Sequence, residues 1–349
     1  MLQRYCNNKH TPKQPPDLKK PTPCVPPPTN FKKLTDYSAK DAPWDTNRAY
    51  TSQVTDIYTG TGDPKFDRLA ARTEACSEFL AFAWHDDKAT GETALKLKST
   101  QFCRVRHCPV CAWRRSLMWK ARFYEALPPL QKEHPTHRFI FLTLTVQNVD
   151  ITGLREQLQA MNKAWRKLVQ RKPFKAAVAG FVRTTEITRS STGQAHPHYH
   201  ALLMVEPSYF GKNYIKQTDW ASMWQSCLNA DYMPVVDVRV VKAKGKDKGS
   251  ASSPEALQSA ITETLKYAVK PSDLVTDGAW LLELTKQVHK LRFIASGGLL
   301  KDVLKEEAES TEDLINTGLE EETAGQETED KLHFNWLPSG KHYSKYNPN

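Results

Sequence analysis

The stretch Gln194-Ala195-His196-Pro197-His198-Tyr199-His200-Ala201-Leu202-Leu203 sets three histidines at alternate positions and runs straight into an apolar segment. Alternate residues of a strand share one face, so the three imidazoles project together. Neutral imidazoles at that spacing suit a divalent cation, and a pair on one strand needs little rearrangement to hold it. A solvated hairpin that happens to be rich in histidine would show the same pattern. The surrounding chain decides between the two.

Phe139 to Val146 is a near-continuous β-favouring run, as for a strand covered on both faces. Leu154, Leu158, Met161, Trp165 and Leu168 follow at helical spacing. Gly180 to Thr188 reads as a second strand, and a Ser/Thr/Gly turn leads into the histidine strand. Trp220, Met223, Trp224, Cys227 and Leu228 form another helical stripe, and Val235 to Val241 a fourth strand. This β-α-β-β-α-β order predicts an α+β fold: a split βαβ, ferredoxin-like antiparallel sheet with its helices on one side. The other face is then free for a site. If the turn centres near Thr192, Glu186 lies opposite His198 and Thr184 opposite His200. Glu186, His198 and His200 would form an open ligand set for Mg2+ or Mn2+.

Two short strands, Phe79 to Trp84 and Leu95 to Lys98, read as a hairpin around Gly91. Such a hairpin brings Cys76 toward Cys103, which opens Cys103-x4-Cys108-x2-Cys111. Four thiols so placed fit a tetrahedral structural Zn2+ site, with His107 the substitute for Cys76; a redox pair or plain buried thiols are the other readings. Beyond the cysteines, Trp113, Leu117, Ala121 and Tyr124 recur at helical spacing while Arg114, Arg115, Lys120 and Arg122 point elsewhere. With Arg104 and Arg106 they form a basic surface suited to DNA phosphates, or a solvated helix face.

The seven cysteines are an odd count, which favours free thiols or metal ligands over disulfides. No apolar run reaches membrane-spanning length and the first residues lack a signal peptide's apolar core, so a cytoplasmic location with no membrane partner is expected. The formal charge is +10, yet Glu306 to Asp330 holds eleven acids and no Lys or Arg, which leaves +21 on the remainder. A basic body with an acidic appendage suggests a polyanionic partner. The first thirty residues contain eight prolines. The expected division is a disordered Pro-rich arm (1–65, with order beginning between about Lys65 and Ala75), a zinc-binding hairpin with a basic helix (66–128), a catalytic domain with closing helices (129–303) and a mostly disordered acidic tail (304–349). Lys244 and Lys246 lie in a lysine-rich loop, a second candidate contact to the DNA backbone.

The last core helix is predicted from Ser253, with Pro254 in its first turn. Leu257, Ala260, Ile261, Thr264, Leu265 and Ala268 line one face, and Glu263, Tyr267 and Lys270 another. A tyrosine near a divalent cation suits in-line attack of its phenolate on a phosphodiester, giving a phosphotyrosine and a free 3'-hydroxyl. Lys266 or Lys270 would favour the anion of a phenol whose free pKa is about 10. Glu263 is placed to act as general base on a second nucleophile.

Phe141-Leu142-Thr143-Leu144-Thr145, His196-Pro197-His198-Tyr199-His200-Ala201-Leu202-Leu203 and Glu263-x-x-Lys266-Tyr267-x-x-Lys270, in that order, resemble the three motifs of rolling-circle plasmid replication initiators of the HUH endonuclease superfamily. Cys103-x4-Cys108-Pro109-x-Cys111-x-x-Arg114-Arg115 resembles their cysteine-rich segment. The resemblance spans about Cys76 to Asp273. It implies a metal-dependent single-strand endonuclease and strand transferase, with His198 and His200 on the cation and Tyr267 as nucleophile. Origin DNA, with a host helicase and polymerase, would be its partners. Tyr199 departs from the aliphatic or other apolar residue usual at that position but keeps its bulk. A related HUH transposase or relaxase, or a zinc-stabilised DNA-binding regulator without cleavage, are the alternatives.

Overall fold

Among the described residues the chain forms nine strands in two antiparallel sheets: β1 Phe79–Asp87, β2 Thr93–Thr100, β3 Arg138–Thr145, β4 Val178–Arg189, β5 Ala195–Val205, β6 Val236–Val240, β7 Ile294–Gly298, β8 Gly325–Leu337 and β9 His342–Tyr346. The structure is a computed structural model describing residues 32–87, 93–241, 254–266, 268–304, 310–317 and 325–346. The Pro-rich stretch before residue 32, the loop with Lys244 and Lys246, and Tyr267 lie outside the described residues.

The larger sheet runs β6-β3-β5-β4-β7. β5 is at its centre, paired antiparallel with β3 and β4. That position explains the apolar run after the histidines: Tyr199 and Ala201 to Val205 are all buried. The helices Leu154–Leu168 and Gln217–Leu228 cover one face. There Trp165 and Trp224 each sit 6.0 Å from the Tyr199 ring. The Tyr199 hydroxyl donates to Asn162 Oδ1 at 3.1 Å, and the Arg183 guanidinium lies 3.9 Å from its ring centroid. A phenol at this position therefore belongs to the helix-covered core, with its one polar atom satisfied.

The histidine face is approached instead by the helix Pro254–Thr264. This helix is shorter than the sequence pattern implies. It ends at Thr264, and Lys270 is the extended N-cap of a separate helix, Pro271–Thr276. Pro271 disfavours helical geometry at Lys270. The Thr264 carbonyl, instead of continuing the helical ladder, accepts from Thr184 Oγ1 at 2.5 Å. Glu263 and Lys270 thus do not share one helix face.

The smaller sheet runs β2-β1-β8-β9. β1 and β2 form the expected hairpin, but its other two strands come from the tail expected to be disordered. Phe334 is fully buried against Tyr37 and Phe82. Tyr343, also fully buried, donates its hydroxyl to the Ser77 carbonyl at 2.5 Å, while its amide donates to Asp45 Oδ1 at 2.8 Å. Strong β-formers at Phe334, Trp336 and Tyr343 outweigh the acidic composition before them. At the other end, order begins well before Lys65. The helix Ala42–Tyr58 carries Pro43 in its first turn and buries Trp44, Thr51, Val54 and Tyr58 along one stripe. Burying each large apolar side chain is worth about 1.5–3 kcal/mol.

The Gly297-Gly298 segment, within the region expected to form closing helices, belongs instead to edge strand β7 on β4. A Cβ on Gly297 would fall 2.5 Å from the Phe181 ring, and Gly298 adopts φ +60 against the Ala179 carbonyl. Only glycine allows that approach.

Phe334→Ala is expected to lower stability by about 3–5 kcal/mol, read as a fall in the urea midpoint. A solvated tail would leave that midpoint unchanged.

Candidate active site and metal centres

The β4-β5 register places Glu186 opposite His198 and Thr184 opposite His200. Ser190 to Gln194 makes the reversal, with Gly193 at φ +83. Glu186, His198 and His200 are buried, and each offers one ligand atom within 4.8 Å of the others. Glu186 Oε2 lies 3.2 Å from His198 Nε2 and 2.8 Å from His200 Nε2. His198 Nδ1 faces the His196 carbonyl at 3.2 Å. A carbonyl only accepts, so Nδ1 is the donor of this contact and Nε2 is left to face Glu186. Two imidazole Nε2 atoms converging on one carboxylate oxygen are the donor set a divalent cation takes, so the residues present fit a bound cation.

His200 Nδ1 contacts Thr143 Oγ1 at 3.3 Å, and its ring stacks on Phe141 at 5.4 Å. Both orienting residues come from β3. The third histidine stands apart: His196 Nδ1 meets Asn148 Oδ1 at 2.6 Å, and burial together with neighbouring His198 lowers its pKa.

Lys266, expected as a DNA contact and as a group favouring the Tyr267 phenolate, pairs with the carboxylates of the site. Its Nζ lies 2.8 Å from Glu186 Oε2 and 2.6 Å from Glu263 Oε1. Glu263 is exposed on the rim, with Oε1 3.9 Å from His200 Nε2. Ile187 donates its amide to the Ala268 carbonyl at 2.8 Å, fixing the chain just beyond Tyr267 to β4. The motif's spacing held a signal for Lys266: glutamate and lysine three apart pair on a helix.

Cys76, Cys103, Cys108 and Cys111 are buried, with their sulfurs within 4.8 Å of one another. The hairpin delivers Cys76 as expected, and His107 is not needed as its substitute. The Arg104 amide donates to Cys111 Sγ at 3.3 Å and the Val105 amide to Cys103 Sγ at 3.4 Å, contacts that favour thiolates. Burial opposes ionisation of Cys108, yet hydrogen bonds from the other three thiols hold its pKa well below the ordinary value. A cluster in which one thiol ionises at its neighbours' expense fits a cation able to accept all four.

The basic residues divide. Arg114 is buried, donating to the Leu314 and Ile315 carbonyls at 2.8 Å each, with its guanidinium 5.2 Å from the rings of Trp44 and Trp113. It holds the 310–317 segment and does not face solvent. Arg122 pairs with Asp313 at 3.0 Å. The helix Pro109–Glu133 thus buries Arg114 and Met118 on one side and Phe123 on the opposite one, because chain lies against two of its sides. Lys120 is half-buried, and burial lowers its pKa. Arg104, Arg106 and Arg115 line a cavity beside the site. Lys270 is exposed.

Burial pushes a carboxylate's pKa up, but His198, His200 and Lys266 outweigh it and hold Glu186 well below the usual range. A depressed folded pKa contributes stability that is present above the ordinary value of 4.5 and is lost as pH falls through the folded value. Glu186→Gln should therefore destabilise the cation-free chain by about 1–3 kcal/mol at neutral pH. In urea titrations the gap from the parent should hold down to about pH 5 and close only in stronger acid; a gap already closed near neutrality would contradict this pairing.

Among known proteins, residues 94–344 match the family model Rep_1, described as replication protein. The chain is 37% identical to Protein rep of Bacillus amyloliquefaciens over 299 residues, 81% of this chain and 86% of that one. It is 39% identical over 259 residues to Protein rep of a Bacillus species, covering 70% and 82% of the two chains. With Protein rep of Streptococcus pneumoniae serotype 2 the identity is 34% over 271 residues, covering 76% and 80%. No solved structure matches. The family match takes in Glu186, His198, His200, Glu263 and three of the four clustered cysteines, and so the chain belongs to the replication protein family.

Proposed function

We propose that the protein initiates rolling-circle replication of a plasmid by nicking one strand at the origin and later rejoining strands. The observation that carries this reading is the convergence of Glu186, His198 and His200 on one point, with Glu263 and Lys266 reaching it from the segment that contains Tyr267. On this reading β6-β3-β5-β4 is the split βαβ sheet of the HUH endonucleases, with β7 added at its edge. Mg2+ or Mn2+ held by Glu186, His198 and His200 would supply charge that polarises the scissile phosphodiester. The Tyr267 oxygen forms a bond to phosphorus as the bond to the 3' oxygen breaks. The phenol gives up its proton and the 3' oxygen gains one, leaving a 5'-phosphotyrosine and a free 3'-hydroxyl. Lys266 holds Glu263 against the site, where the carboxylate acts as general base for the second nucleophile, water or a 3'-hydroxyl. Lys270, exposed at a helix N-cap, is assigned an accessory role beside the phosphate.

The four thiols are assigned to structural Zn2+. Origin DNA is the substrate, and a host helicase and polymerase extend the exposed 3' end. The reaction is placed in the cytoplasm; no helix among the described residues is long and apolar enough to cross a membrane.

Incubation with a single-stranded origin library and Mg2+ or Mn2+ should yield a protein–DNA adduct whose mass and digestion map to Tyr267. Tyr267→Phe should abolish the adduct and keep DNA binding; an adduct that persists in this variant sinks the assignment. The purified protein should carry about one zinc ion per chain by elemental analysis. Cys111→Ser should lose that ion and melt at lower temperature.

A further inference from the structure

A cavity of about 540 Å3 lies between the four-cysteine segment and the edge of the catalytic sheet. Arg104, Arg106 and Arg115 line it from the cysteine side, and Arg292 and Phe293 from the chain entering β7. Lys266 belongs to both this cavity and the candidate active site, where its Nζ is 2.8 Å from Glu186. Among the described residues that line it there is no carboxylate. Five cations therefore surround a space of ligand size with no anion among its lining.

Trp119 and Phe293 add two aromatic side chains to the cavity wall, both largely buried. An occupant suited to this lining brings negative charge to the cations and a flat apolar body to the two rings. A nucleotide has both.

Resting on the function proposed above, we propose that this cavity receives one nucleotide of the single strand immediately beside the scissile phosphodiester. Its phosphate lies among the arginines, and its base lies along Trp119 and Phe293. The cysteine segment then does more than stabilise the fold: it supplies the wall that selects the nucleotide next to the nick. Arg106 is already braced for this, donating to the Leu291 carbonyl at 2.7 Å while its guanidinium covers the Phe293 ring at 4.6 Å.

The test is photocrosslinking of the full chain, in the absence of Mg2+ and Mn2+, to a mixed-sequence single-stranded oligonucleotide carrying 5-iododeoxyuridine. Mass spectrometry of the crosslinked peptides is expected to identify Trp119, Phe293 or His107. Arg104→Gln combined with Arg292→Gln, both at exposed positions, should remove those crosslinks and weaken single-strand binding about tenfold, with zinc content unchanged. Crosslinks confined to other surfaces overturn the proposal, as does undiminished crosslinking in the double variant. Equal crosslinking by free 5-iododeoxyuridine triphosphate would overturn the assignment to a strand. Because the measurement needs no cleavage, nicking without these crosslinks defeats this inference alone, and crosslinks without nicking defeat only the endonuclease reading.

Discussion

A single buried carboxylate governs the arrangement around the larger sheet. Glu186 is almost wholly removed from solvent and meets two imidazoles and an ammonium group through one oxygen. Burying a charge is costly unless it is paired and hydrogen-bonded, so each partner must arrive in register. A one-residue slip between β4 and β5 would turn Glu186 into the helix-packed face among Tyr199, Trp165 and Trp224, away from His198 and His200. The turn at Gly193, the β3 residues that orient His200 and the early end of the helix at Thr264 are all consistent with that one requirement.

The cysteine segment and the sheet are tied by polar contacts from arginine as well as by packing. Arg106 bonds to a carbonyl just before β7, Arg104 to Thr311 and Arg114 to two carbonyls in the same tail segment. Guanidinium groups suit this work because they satisfy several carbonyls in a fixed plane while stacking on aromatic rings. The same chemistry explains why a basic helix in sequence is not a basic surface in space. Part of its charge is consumed in holding the chain together, and the share left over is gathered around one cavity.

The catalytic sheet was largely legible in the sequence because its signals are local. Alternation in β5, the 3.6-residue stripes of two helices and a short turn were enough to bring Glu186 opposite His198. Three features were hidden because their causes are long-range. Spacing alone pairs Lys266 with Glu263, but its second partner, Glu186, lies on another strand, and the chain between them has left its helix at Thr264. The helix Ala42–Tyr58 follows a proline-rich stretch, and its buried stripe includes Thr51, which does not count as apolar. β8 and β9 lie in or beside the most acidic part of the chain, and β8 pairs with β1 far back in the sequence while β9 pairs with β8. Composition describes what a segment can do alone; pairing depends on what waits for it elsewhere.

That last pairing has a consequence for how the molecule comes into being. The contact between Ser77 and Tyr343 joins residues 266 positions apart, so β1 keeps an open edge until nearly the whole chain has been synthesised. Non-local strand pairing of this kind is slow, and an unpaired edge is a template for wrong partners. A nascent chain that has already made Glu186, His198 and His200 still lacks half of its smaller sheet. The arrival of β8 and β9, more than the appearance of Glu186, His198 and His200, is what completes the smaller sheet.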